Sequence, residues 1–99
     1  MLYMIVEHFK DRDALPVFRR FAERGRLAPN GLTYVSSWVD EKFHRCFQLM
    51  ETSEGALLEE WMANWNDIVE FEVFPVMTSH EATVKLSPVL DPEVADLET

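Results

Sequence analysis

Ninety-nine residues, 47% of them hydrophobic and 12% aromatic, suit one globular domain and exclude a disordered chain. A net charge of −9 weighs against nucleic acid and against an anionic membrane surface, because both are held by Lys and Arg. A single cysteine, Cys46, excludes an internal disulfide.

Leu2 to Phe9 reads as a strand that is apolar on both alternating faces. Leu2, Met4 and Val6 lie on one face and Tyr3, Ile5 and Phe9 on the other, the pattern of a central strand. Near its end stand Glu7 and His8, an acid beside an imidazole, which alternation sends to opposite faces. Asp13 is placed to cap a first helix, with Pro16 tolerated in its first turn. Leu15, Phe18, Phe21 and Ala22 follow helical spacing, while Arg19, Arg20, Glu23 and Arg24 point elsewhere. Gly25 stops this helix, and APNG turns the chain into a second strand, Leu32 to Val39, rich in Thr, Tyr, Val and Trp. DEK is a short hairpin loop, and Phe43 to Glu51 is the third strand.

Ser53 is the expected cap of a second helix, with a stripe of Leu57, Leu58, Trp61, Met62 and Trp65. NWND breaks it near Asn66. Ile68 to Met77 is the fourth strand, with Val69, Phe71 and Val73 on one face and Glu70, Glu72 and Phe74 on the other. Pro75 belongs on an edge or at a strand end. Thr78-Ser79-His80-Glu81 has capping-box spacing and opens a short third helix, which Pro88 ends. The domain is expected over residues 1–86, with an acidic tail over 87–99; the last nine residues hold four acids and no base.

The order is β-α-β-β-α-β plus a terminal helix, the ferredoxin-like pattern of an α+β fold. Its antiparallel strand order is 4-1-3-2, with both main helices on one face. The first strand is apolar on both faces, and Phe43, Phe47 and Leu49 line one face of the third. Two helices cover only one side, so the economical cover for the other is a second copy, sheet against sheet, in a homodimer. The longest apolar runs are too short to span a bilayer. The first cation, Lys10, follows the opening apolar residues rather than preceding them, unlike a secretory leader, so a cytoplasmic setting is expected.

The strings VEHF, RFAERGRLAPNGLTYVSSWVD, RCFQLME and LLEEWMANWNDIVEFEVFPVMTS carry a resemblance over about residues 1 to 84. Through them the chain resembles the dimeric α+β barrel superfamily. Within it, the chain is similar to a family of small bacterial proteins classed as a domain of unknown function. The superfamily includes cofactor-free oxygenases, muconolactone isomerases, haem-dependent chlorite dismutases and stress-responsive proteins. The resemblance therefore implies a sheet-to-sheet dimeric barrel and leaves the chemistry open.

This topology gathers Glu7, His8, Trp38, Asp40, His44, Arg45, Trp65, Asn66 and Asp67 near one edge of the sheet. The expected site is a pocket between sheet and helices for a small hydrophobic or aromatic molecule, walled by Met4, Phe18, Trp38, Trp61 and Trp65. His8 stands at its mouth as general base or hydrogen-bond partner, since an unperturbed imidazole titrates near ~6.5. In the blander reading His8 bonds to backbone or to Asp67. Glu7, on the opposite face, is expected in a structural ion pair with Arg45, because a buried acid without a cation is costly. Tryptophans spaced like Trp61 and Trp65 are ordinarily core, which a pocket wall also is.

Other chemistries have less behind them. His8, His44 and a carboxylate make a two-His-one-carboxylate set only if both imidazoles share a side, and their spacing matches no compact metal motif, so no metal is expected. Cys46 reads as a buried, inert thiol, and His80 as exposed. The three glycines sit at turns or helix ends, and no phosphate loop or Ser-His-Asp arrangement is present, so no cofactor is expected. Arg12, Arg19, Arg20, Arg24 and Arg26 are five of the nine cations, whereas Cys46 to Val84 holds eight acids and no Lys or Arg. That asymmetry reads as mild attraction between elements or as an anionic-ligand site by the first helix. Two functions follow: a ligand-binding protein, extending to a cofactor-free oxygenase or isomerase, or a non-catalytic dimeric interaction or ligand-sensing module.

Overall fold

In a computed structural model that describes residues 1–90, strand β1 (Leu2–Phe9) lies between β3 (Arg45–Glu51) and β4 (Val69–Val76). Strand β2 (Thr33–Val39) flanks β3, giving one four-stranded sheet in the order β2-β3-β1-β4 with every neighbouring pair antiparallel. The connectivity is α+β and ferredoxin-like, with helices α1 (Leu15–Arg24), α2 (Ala56–Met62) and α3 (Ser79–Leu86). The expected central place of the first strand and the edge place of the fourth hold. Pro75 pairs with Tyr3 on that edge strand, where its missing N–H costs the ladder nothing.

Register assigns the faces. Glu7 stands opposite Cys46 on one side and Phe71 on the other; Ile5 stands opposite Gln48 and Val73. These residues, with Phe9, Met50 and Val69, face the helices. Ile5, Met50, Val69 and α2's Trp61 are the most deeply buried side chains, and Leu32, Leu58 and Trp65 complete the core around them. Phe9 meets Phe18 of α1 edge-on, and Trp61 of α2 leans on Phe71, so both helices lie over the same face. Helix α1 has no buried residue, because it stands away from the sheet over a cavity.

The opposite face carries Leu2, Met4, Val6 and His8 with Phe47, Leu49, Trp38 and Phe74 across the strands. Nothing among the described residues covers it: Trp38 is 54% exposed and Phe74 45%.

Local chemistry sets the element ends. Asp13 Oδ1 accepts the Leu15 N–H at 3.0 Å at the start of α1, and Gly25 ends that helix at φ +74. Thr78 Oγ1 accepts the Glu81 N–H at 3.0 Å, the expected cap of α3. The start of β2 and both ends of β4 differ from expectation by one residue, and three boundaries differ by more. Strand β3 begins at Arg45 rather than Phe43, because Phe43 turns in the left-handed region (φ +58) while Asp40 Oδ1 takes the His44 N–H. Ser53 does not cap α2; Thr52 Oγ1 takes the Glu54 N–H instead, and the helix starts at Ala56. Helix α2 ends at Met62, and turns bonded from Asn64 to Trp61 and from Trp65 to Met62 carry Trp65 into the core.

No residue of α3 is buried, and none of its apolar side chains packs on the core. A short 3-10 turn, Ser87–Val89, follows it, so the chain has regular structure just beyond the expected boundary at residue 86; the acidic segment from residue 91 lies outside the described residues. No helix among the described residues is long and apolar enough to cross a membrane.

Candidate functional site

Between α1 and the sheet lies a cavity of about 240 Å³. Val17, Phe18 and Phe21 of α1, Phe9 and Val39 of the sheet, and the indoles of Trp61 and Trp65 wall it. Its polar lining is concentrated in one array: Glu7, Cys46, Gln48, Arg26 and Ser37. The array follows from strand alternation. Glu7 shares its face with Ile5 and Phe9, Cys46 and Gln48 are on the same face of β3, and Ser37 sits opposite Gln48 on β2.

The hydrogen bonds run in one direction. Arg26 Nε donates to Gln48 Oε1 at 2.9 Å, and Gln48 Nε2 donates to Glu7 Oε2 at 3.2 Å. The Cys46 thiol also bonds the Glu7 carboxyl. The Arg26 guanidinium lies over the Tyr34 ring at 3.6 Å and beside Phe21 at 5.1 Å. Its backbone carbonyl accepts both indole N–H groups, Trp61 Nε1 and Trp65 Nε1, each at 3.0 Å. One residue thus fixes the two tryptophans through its main chain and the carboxyl array through its side chain.

Burial pushes the Glu7 carboxyl up to about 7, against the opposing pull of the Cys46 hydrogen bond and the Arg26 charge. The Cys46 thiol is pushed up to about 12, by burial first and then by the adjacent Glu7, which keeps it protonated and unreactive. A carboxyl that titrates near neutrality, in an apolar cavity, can donate or accept a proton at physiological pH.

The structure divides the expected site residues between two faces. Phe18, Trp61 and Trp65 line the cavity; Met4 and Trp38 lie on the uncovered face. His8 also lies there, with Nε2 2.5 Å from Glu72 Oε1, whereas Asp67 is engaged by Arg20 through two 2.8 Å bonds. The expected Glu7–Arg45 ion pair does not form. Glu7 faces the helices, where burial favours its neutral form and Gln48 donates to it, while Arg45 falls in register with His8 on the other face and bonds Asp40 at 3.2 Å. The guanidinium of Arg20 holds the Asp67 carboxyl down to about 2, and the His44 N–H, then Arg45, lowers Asp40.

His8, Arg12, Asp40, His44 and Arg45 line a second, wider concavity at the sheet's end. Among the described residues no group of three or more His, Cys, Asp or Glu is arranged to hold a metal ion. Sequence reasoning named Arg26 only as one of five cations in a candidate anionic-ligand site by the first helix, and did not name Gln48. The available signal was parity: Gln48 is a polar residue alternating with Cys46 and Met50, an interruption that a buried strand face tolerates only with a partner.

A family model described as a domain of unknown function (DUF3303) matches residues 1–90, and the chain belongs to that family. No curated protein and no solved structure matches the chain.

Proposed function

We propose that this family member binds a small apolar or aromatic molecule in the cavity beneath α1. The carrying observation is the cavity itself: about 240 Å³, walled by aromatic and aliphatic side chains, with its polar groups gathered in one array. Small-molecule sites have this form, a largely apolar hollow with a few placed polar groups. The residue proposed for proton handling is Glu7 rather than His8, because Glu7 lines the cavity and titrates near neutrality. Such a carboxyl is the kind of group that isomerases and cofactor-free oxygenases use to move a proton, so turnover of the bound molecule is the natural extension of binding.

The test is titration with a neutral single-ring probe, benzyl alcohol, followed by NMR at the indole N–H signals of Trp61 and Trp65. Binding moves both signals, and Val17→Phe, which fills the cavity from α1, removes the response. Signals unmoved by millimolar benzyl alcohol and equally by its charged analogues benzoate and benzylamine defeat the reading.

A second proposal concerns assembly. The uncovered face bearing Met4, Val6, Trp38, Phe47, Leu49 and Phe74 supports a homodimer closed sheet to sheet, and with it the alternative role of a dimeric interaction or sensing module. Native mass spectrometry of the freshly purified chain reads subunit number and any retained organic molecule together. A monomer at micromolar concentration rules out the dimer. A dimer that carries no adduct and ignores benzyl alcohol favours the interaction module.

A further inference from the structure

We infer that the cavity takes a single-ring aromatic carboxylate, its anionic oxygens received by the guanidinium of Arg26 and the carboxylic acid of Glu7. This rests on the ligand-binding reading above and names its ligand class.

Size sets the body of the ligand. A dry cavity of about 150 Å³ holds a benzene. The roughly 240 Å³ here therefore has room for one ring with a short substituent. Aromatic lining, Phe18 and Phe21 from α1 and Trp61 and Trp65 from α2 and the turns after it, suits a planar ring.

Charge sets the head group. The guanidinium of Arg26 spends its Nε on Gln48 and one ring face on Tyr34. Its Nη1 and Nη2 have no hydrogen-bond partner among the described residues, yet no buried side-chain nitrogen or oxygen there is left unpaired, so these donors are accessible to solvent on a residue that lines the cavity. Stacking over a ring occupies the faces of a guanidinium and leaves its edge for a bidentate acceptor. On the far side of Gln48, Glu7 in its acid form offers a donor. With Glu7 protonated and Cys46 a thiol, Arg26 supplies the one formal charge of the cavity lining. A carboxylate neutralises that charge and fills both donors. A neutral ligand leaves the guanidinium unpaired as it loses water, and an ammonium ligand meets a like charge.

The same arrangement links binding to a proton. The titratable or charged groups facing Glu7 are Cys46 on β3 and Arg26 after α1; α1, α2, β2 and β4 present aromatic, aliphatic or hydroxyl side chains. A carboxylate ligand ionises near ~4 and stays charged above that. Ionising Glu7 removes its donor and adds a repelling charge, so affinity falls as pH rises through its titration near 7. For one linked proton the loss is about tenfold between pH 6 and pH 8.

Calorimetric titration of the intact protein with benzoate, benzyl alcohol and benzylamine at these two pH values tests the assignment. Benzoate binds most tightly at pH 6 and loses about tenfold by pH 8, while benzyl alcohol is insensitive to pH. Glu7→Gln, whose amide cannot ionise, flattens the benzoate profile. Arg26→Met keeps the carbonyl that holds the tryptophans and abolishes the preference for benzoate over benzyl alcohol. If benzyl alcohol or benzylamine binds as well as benzoate at pH 6, the anion assignment is overturned and the pocket reading survives. If none of the three binds, both fall together.

Discussion

Glu7 and His8 are adjacent in the chain and serve opposite faces of the sheet. Glu7 points under α1 into the cavity, bonded to Gln48; His8 points to the uncovered face, bonded to Glu72. The acid is the more deeply enclosed of the two, with 8% of its surface exposed. It tolerates this because three groups share the task of keeping it paired: the Cys46 thiol, the Gln48 amide and, through that amide, Arg26.

That enclosure makes stability depend on pH. An unfolded Glu7 releases its proton near 4.5, and the folded one near 7. Below 4.5 both states hold the proton and the contribution to stability is complete. Between the two values the folded chain alone holds it, so stability falls as pH rises; above the folded value both have released it and the loss is finished. At about 1.4 kcal/mol per unit, the whole step is about 3 kcal/mol. Urea midpoints at pH 5 and pH 8 should therefore show wild type losing ground to Glu7→Gln by about 2–3 kcal/mol. A parallel pH dependence in the two proteins would mean that Glu7 is ionised throughout.

The two tryptophans share an acceptor, and this predicts non-additivity. Trp61→Phe or Trp65→Phe removes one indole donor while the other keeps the Arg26 carbonyl paired, a loss of about 1 kcal/mol for the hydrogen bond in each case. The double variant leaves the Arg26 carbonyl without either indole and should cost about 1 kcal/mol more than the sum of the singles. A double-mutant cycle by urea unfolding measures this term, and a coupling of zero would show that the shared carbonyl is satisfied by water.

Much of this was legible in the sequence, for physical reasons that can be named. The apolar alternation of Leu2 to Phe9 on both faces placed β1 at the centre, Pro75 left β4 either on an edge or ending there, of which the edge holds, and Thr78 with Glu81 marked the start of α3. The site was legible in its aromatic wall, because Phe18, Trp61 and Trp65 belong to helical stripes or their continuation. Its polar end was hidden. Both faces of β1 are apolar, so alternation could separate Glu7 from His8 without saying which looked toward the helices. The deciding clue lies on β4, where Glu70 and Glu72 mark the face turned away from the helices and register sets His8 beside Glu70 and Glu7 beside Phe71. Only the pairing of the two strands carries that clue from one to the other. Arg26 was visible only as one of five cations near the first helix, because it stands in a connecting segment, where neither a helical nor a strand period assigns a direction.

Helix α3 should open separately from the rest of the domain. Its cap is the Thr78 hydroxyl, which accepts the Glu81 N–H, and the hydroxyl also lies 3.2 Å from the Glu81 carboxylate. Removing such a cap costs a helix about 1 kcal/mol. Because α3 has no buried residue and none of its apolar side chains packs on the core, that loss stays local in a single chain. Thr78→Ala should therefore speed amide exchange from about Ser79 to Leu86 by about fivefold while leaving protection in β1 and β3 unchanged. Val84 and Leu86, both more than half exposed, give the same helix an apolar side that a second copy could cover. If Thr78→Ala instead lowered protection in β1, α3 would be coupled to the sheet through an intermolecular contact, and that coupling should weaken on dilution.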